Sequence, residues 1–402
     1  MIHHKLQYIN MQDYVYSKRA QKAGKKKQGF YANLYNLTFL LPAFWLVLGA
    51  IEIFSSSRYA SELINHSKVY LLSLHLLWIV FGLIVAFVFA NIPKKTVMKL
   101  SGIMYVLNVL LLIFTFINGQ VNGASRWVSF LGFTIQPSEF LKVVLPIFLA
   151  NNYFNQAKSS ARTYVEHLKQ DLVPLLMYVI VPFGLVFLQP DLSTLALLIL
   201  EVGIMYLLSN NKYILQDILF GVIGILAFLG LAIGFTGFRK TRMQVYLTLL
   251  KTGEIIDPYG AGNQILNILI AVGSGGLLGK GIGHSSQIGG YLVESTAVTD
   301  SIGAVMFEEL GFFAGSLIVI SFVIWGIYTI NQIIKSSNLD SYAIALIAIV
   351  SVLTVQALSH FAVNVALFPL TGIALPFMSY GGSFTMVSLW SLGLLFRFFK
   401  DT

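Results

Sequence analysis

The sequence predicts an all-α protein, a polytopic bundle of transmembrane helices. Three observations carry that prediction. Of 402 residues, 56% are hydrophobic and only 11% charged, far from the balance of a soluble domain. Apolar stretches recur near the roughly 20-residue length that crosses a bilayer. The polar residues collect between those stretches, with Pro and Gly at the breaks. A net charge of +9 is accordingly read as a topology signal, and nucleic acid is not an expected partner. Zero cysteines exclude a disulfide framework and cysteine-ligated metal.

Residues 1–33 are polar and basic, with Lys25, Lys26 and Lys27 in a row, and they lack the apolar core of a cleavable signal. They read as a disordered cytoplasmic tail ahead of a membrane domain over residues 34–402, its lysines available to membrane lipids. About ten spans of suitable length follow. Their cores are Leu34–Ile53, Val69–Phe89, Leu100–Ile117, a short Phe140–Tyr153, Val173–Leu188, Leu192–Leu208, Ile214–Phe235, Ile302–Ile330, Tyr342–Phe368 and Phe384–Phe398. Placing both termini in the cytoplasm puts most of the 26 Lys and Arg residues on the inner side, as the positive-inside rule requires. The seventh and eighth spans are then joined by a long extracellular loop, residues 237–301. Within it Ile265–Val272 is apolar but too short to span, and Gly273-Ser274-Gly275-Gly276 follows. An interfacial or re-entrant helix ending at those glycines is expected.

Several constellations could carry chemistry. Asn122-Gly123-Ala124-Ser125-Arg126-Trp127 precedes Gln136-Pro137-Ser138-Glu139, with Lys142 about a turn further on. Pro137 suits a first helical turn and Glu139 its positive end. Lys142 could snorkel outward or pair with Glu139, whereas Arg126 and Lys142 could also donate to a pyrophosphate. Gln189-Pro190-Asp191 reads as a tight turn with a helix-capping Asp. Gln264 lies in Gly262-Asn263-Gln264, and Lys280 sits among glycines where side chain and backbone could approach phosphate. Arg239, Lys240 and Arg242 could attract anionic headgroups. Asp300 stands where the long loop meets the eighth span, eight residues before Glu308-Glu309-Leu310-Gly311. It is either a helix cap or a functional carboxylate at the membrane edge. Finally, Ala374-Leu375-Pro376-Phe377-Met378-Ser379-Tyr380-Gly381-Gly382-Ser383 cannot continue a helix. Broken backbone at membrane depth is tolerated where protein buries it or where it lines a polar cavity, so this run reads as a shaped piece of a site.

These blocks, in this order, resemble the FtsW/RodA (SEDS) family of polytopic glycosyltransferases. The resemblance spans about Asn33 to the C-terminus. It implies a bacterial cell-membrane enzyme of peptidoglycan synthesis that polymerises lipid II, an undecaprenyl-linked disaccharide-pentapeptide, by inverting transfer with release of undecaprenyl pyrophosphate. Asp300, preceded by Thr299, falls on the family's acidic position and is the implied general base. Arg126, Lys142, Gln264, Lys280 and Ser383 become the implied substrate-binding residues, with Glu139, Glu309 and Glu294 supporting them. The family commonly reads Tyr-Leu-Pro-Glu and then Thr-Asp-Phe. Here Tyr291-Leu292-Val293-Glu294 stands two residues further from Thr299-Asp300-Ser301, which makes Glu294 the fallback carboxylate. Gly283-x-Ser285-x-Gln287 leans to the division-type FtsW branch, and Met378 to the elongation-type RodA branch. By analogy Mg2+ or Mn2+ could assist the pyrophosphate leaving group, with no dedicated ligand set and no organic cofactor. A class B penicillin-binding protein transpeptidase and other divisome or elongasome proteins are the implied partners. A lipid II flippase or transporter, and a non-catalytic division or elongation scaffold, are the competing readings.

Overall fold

The computed structural model describes residues 36–65, 67–117, 125–130, 133–155, 163–209, 213, 216–217, 237–289, 297–337 and 339–402. In chain order its helices are α1 (Leu37–Asn65), α2 (Tyr70–Asn91), α3 (Lys94–Phe114), α4 (Pro137–Leu149), α5 (Tyr164–Leu188), α6 (Leu192–Leu207), α7 (Gly237–Thr252), α8 (Asn263–Gly275), α9 (Ile302–Ser336), α10 (Ser341–Asn364) and α11 (Gly382–Asp401). One π turn, Ala150–Phe154, prolongs α4, and another, Leu168–Leu172, lies within α5. Seven helices (α1, α2, α3, α5, α9, α10 and α11) are long and apolar enough to cross a membrane, and α6 is a shorter apolar helix. Nine of the ten expected cores overlie described helices, while the seventh falls almost wholly outside the described residues, as does the basic tail. A short hairpin precedes α4, with Val128–Phe130 antiparallel to Phe133–Ile135.

α10 is the central post, buried along nearly its whole length. Trp45 of α1 stacks on Phe322 of α9 with ring centroids 3.7 Å apart. Its indole donates to Ser321 Oγ at 3.0 Å, and the Trp325 indole donates to the Thr38 carbonyl at 3.0 Å. Leu, Ile, Val and Phe side chains remain exposed around α2, α3 and α5, as lipid-facing helices require. Phe39 of α1 packs on Phe396 and Phe399 of α11, so the first and last described spans meet at one end of the bundle. That same end carries the Lys94–Asp340 ion pair. His167 also lies there, its ring nitrogens 2.7 and 2.8 Å from Asp171 and Asp217.

The structure departs from the expected uniform eighth span. α9 is interrupted at Gly311 (φ 82°, ψ 170°), and Phe307 lies directly over Gly315. Residues eight apart in an unbroken helix are separated by about 12 Å. Ile302–Leu310 therefore folds back beside the rest of α9 as a half-helix. The segment following α8 satisfies the backbone groups that the break releases. Lys280 N–H donates to the Glu308 carbonyl and Gly281 N–H to that of Glu309, both at 2.9 Å; Phe312 N–H donates to the Gly276 carbonyl at 2.9 Å. α8 ends at Gly275, before Gly276 at φ 57°, so a helix ending in the glycine run is observed. A Cβ at position 311 would meet Gly279 N at 2.3 Å, in backbone geometry that side chains rarely adopt. Gly311→Ala is expected to cost about 3 kcal/mol or more, read as a fall in the thermal unfolding midpoint of the detergent-purified protein.

Candidate functional site

At the opposite end from Lys94 and Asp340, three elements converge on Asp300. Its turn, residues 297–300, leads into the half-helix, whose N-cap is Ser301 with no side-chain cap of its own. The capping alternative for Asp300 is thereby corrected. The first free amides of the half-helix take acceptors from α10 instead: Gly303 N–H donates to His360 Nε2 at 3.1 Å and Ala304 N–H to Asn364 Oδ1 at 3.2 Å. His360 Nδ1 in turn lies 2.7 Å from the Ile373 carbonyl. With Nε2 accepting, Nδ1 is the protonated nitrogen that donates there.

The late Pro/Gly/Ser run supplies the second clamp. Ser379 Oγ donates to the Thr299 carbonyl and Tyr380 N–H to that of Val298, both at 2.8 Å, while Asn364 Nδ2 donates to the Asp300 carbonyl at 2.9 Å. The backbone of residues 298–300 is fixed carbonyl by carbonyl, and the carboxylate itself stays half-buried. Gly372 lies beside it, where a Cβ would stand 3.1 Å from Oδ2. A side chain at 372 would cover the carboxylate.

The third element is cationic. Burial pushes the Asp300 carboxyl up to about 6, with Arg242 and then Arg126 pulling it down, Asp191 pushing it up and the Thr299 hydroxyl bond lowering it. Arg242 of α7 contacts Gln264 Oε1 at 3.5 Å, and Gln264 Nε2 contacts Ser301 Oγ at 3.5 Å. Arg126 is aimed by the α5–α6 turn. Its Nε donates to the Gln189 carbonyl at 3.1 Å, another donor reaches the Pro190 carbonyl, and Nη1 lies 3.9 Å from Asp191 Oδ1. Asp191 caps α6 by accepting from Thr194 N–H at 3.3 Å, and takes Gln136 Nε2 at 2.9 Å.

Other residues singled out from the sequence hold this frame together. Gln136 N–H donates to the buried Ser383 Oγ at 2.8 Å, joining α4 to α11. Of the two structural readings of Lys142, snorkelling outward or pairing with Glu139, the structure shows the pair. Its side chain is only 2% exposed, bonded to Glu139 at 2.6 Å and Gln356 at 2.7 Å, so its ammonium is spent inside the bundle. Lys280 is also engaged, donating to Glu308 at 2.5 Å and Ser274 at 2.8 Å. Glu309 receives Ser55 Oγ at 2.5 Å. Asn122, Gly123, Ala124 and Glu294 lie outside the described residues, as does the side chain of Arg239. Among the described residues no three His, Cys, Asp or Glu side chains converge as a metal cage.

The arrangement can do acid–base work. A carboxyl that titrates near 6 is ionised at neutral pH yet basic enough to accept a proton, and two guanidinium groups beside it suit anionic oxygens. Any reaction in which this carboxylate serves as the base needs it ionised, so such a rate is expected to rise about tenfold per pH unit below pH 6 and to flatten above it. Folded Asp300 holds its proton more tightly than its ordinary value of 3.8 allows. Its contribution to stability therefore falls as pH climbs from about 4 to about 6.

Comparison with known proteins places this geometry. The family model FTSW_RODA_SPOVE, described as cell cycle protein, matches residues 35–402. Stage V sporulation protein E of Bacillus subtilis (strain 168) is 31% identical over 362 residues, covering 89% of this chain and 95% of that protein. A protein of Acinetobacter baylyi named probable peptidoglycan glycosyltransferase FtsW is also 31% identical over 362 residues, covering 89% of this chain and 87% of its own. Among solved structures, a chain from a study titled as the coordination of polymerization and crosslinking by a peptidoglycan synthase complex superposes with a TM-score of 0.70. The two share 20% identity over 90% of this chain and 97% of that one. Thermus thermophilus rod shape determining protein RodA gives 0.62 at 20% identity, over 90% of this chain and 96% of its own. These two likenesses establish the helical membrane fold.

Proposed function

The chain belongs to the FtsW/RodA/SpoVE family of cell cycle proteins, and from that premise we propose that it is a peptidoglycan glycosyltransferase, polymerising lipid II at the outer face of the cytoplasmic membrane. The observation that carries the reading is Asp300, a half-buried carboxylate locked by its backbone, left uncovered by Gly372 and flanked by Arg242 and Arg126. In this reading Asp300 takes the proton from the sugar 4-hydroxyl of one lipid-linked disaccharide as that oxygen attacks the anomeric carbon of a second. The bond from that carbon to the pyrophosphate oxygen breaks, and undecaprenyl pyrophosphate leaves with the electron pair. Attack opposite an α-linked leaving group gives a β-linkage. The leaving group is already a stabilised anion, so one carboxylate suffices.

Arg242 and Arg126 are the residues suited to the pyrophosphate oxygens. Gln264 spaces Arg242 from Ser301, while Lys142, Glu139, Ser383 and Lys280 support the frame. A divalent cation, where the reaction uses one, would rest chiefly on substrate phosphates, as Mg2+ commonly does, and would supply charge neutralisation there. In this reading Asp300 lies at the outer face and both termini lie in the cytoplasm, supported by the meeting of the first and last described spans at the other end. The synthase-complex likeness supports a crosslinking partner, which we take to be a class B penicillin-binding protein transpeptidase.

Purified protein, alone and with that transpeptidase, is given lipid II in detergent and in vesicles. Glycan strands are the expected product. Movement of lipid II across vesicles without polymer would favour a flippase, and neither activity would leave a scaffold.

A further inference from the structure

Inside α1 Glu52 is wholly buried, and neither carboxylate oxygen has a hydrogen-bond partner among the described residues. The same helix presents Ser55 one turn later, and Ser55 Oγ donates to Glu309 Oε1 at 2.5 Å. Glu309 is 1% exposed, yet its Oε2 has no partner. Glu52 and Ser55 stand three residues apart, on one face of α1, which brings Glu52 to the Ser55–Glu309 contact. Three buried acceptor oxygens, both of Glu52 and Oε2 of Glu309, thus lie around one contact between α1 and the half-helix, each without a donor.

The surrounding cations do not supply one. Lys280 is taken by Glu308, whose oxygens are further filled by Ser274, Ser285 and Ser286. Arg58 donates to the Gly283 carbonyl at 2.9 Å and reaches the Ser55 carbonyl at 3.5 Å. Two adjacent buried anions without a counter-charge are prohibitively costly. A single proton resolves both defects, because a carboxylic acid has one O–H to give. Glu309, which already holds the Ser55 donor, is the better carboxylate; Glu52, with none, is the better acid.

We propose that Glu52 is a positioning residue, a neutral carboxylic acid whose O–H donates to Glu309 Oε2 and so fixes the half-helix that begins beside Asp300. The consequence for turnover rests on the glycosyltransferase reading, whereas the protonated state of Glu52 does not. The pair pins the end of Ile302–Leu310 next to the Gly311 break, and Asp300 rides on the other end of the same rigid piece.

Two variants test this. Glu52→Gln retains a donor for Oε2, so polymerisation and thermal midpoint are expected to stay within about twofold and unchanged, respectively. Glu52→Leu leaves Oε2 buried and unpaired, so the midpoint drops and the rate per folded molecule falls about tenfold. Infrared spectra of the full-length protein should carry a carbonyl band of a protonated carboxylic acid that both variants lose. A band unchanged in Glu52→Gln, or a Glu52→Leu protein with wild-type rate and midpoint, overturns the proposal. Should the wild type make no polymer, the band and the midpoints still decide the Glu52–Glu309 bond, while the assay counts against the glycosyltransferase.

Discussion

Asp300→Asn is expected to lower glycan polymerisation about 10²- to 10⁴-fold, the usual contribution of a positioned general base, while leaving the fold intact. The amide is nearly isosteric and cannot accept the sugar proton. The backbone clamps on the turn do not depend on the charge, because Asn364, Ser379 and Tyr380 bond to carbonyls of residues 298–300. Removing a partly buried carboxylate also relieves its desolvation, so the thermal midpoint should hold or rise. Gel analysis of strands made from lipid II by equal amounts of folded protein measures the loss.

The second large effect concerns stability. Lys142→Met leaves Glu139 buried with its cation gone and strips Gln356 Oε1 of its donor. Breaking a buried pair from one side costs about 3–5 kcal/mol, enough to deplete most of the folded protein in the membrane. Adding Glu139→Gln removes the stranded charge and is expected to restore much of the loss, since neutral replacements of buried pairs are often tolerated. Folded yield and thermal midpoint of the wild type, Lys142→Met and the double variant check the sequence of losses. Equal yields for all three would show that the fold does not depend on this pair.

Much of the architecture was legible in the sequence because bilayer length and composition constrain it. Spans showed as apolar runs, Asp191 as a turn and cap, and Pro376 with Gly381 as backbone that leaves the helix. The break at Gly311 was hidden: a glycine inside an apolar run reads as continuous helix until the partner segment 276–281 is seen to bond the released groups. The Lys142–Glu139 pair is legible from the three-residue spacing, whereas one-dimensional distance from a span's end cannot reveal that Gln356, far along the chain, supplies a second inward acceptor. Arg242 read as a headgroup attractor because its approach to Asp300 depends on how α7 packs.

Gln356, His360 and Asn364 were overlooked, although the signal was present. They recur every four residues in an apolar span, which puts them on one helix face. Intramembrane polar residues in such a stripe point to a function. Their roles in the structure differ. Gln356 accepts from Lys142, His360 receives the Gly303 amide, and Asn364 grips both Ala304 and Asp300.

The central claim is that Asp300 acts on the proton in flight and not on the affinity for substrate. Binding of lipid II to the purified wild type and Asp300→Asn, measured beside their polymerisation rates, tests this most directly. The prediction is binding within about twofold of wild type with turnover lost. Binding lost in proportion to rate, or polymer made at the wild-type rate by Asp300→Asn, would contradict it.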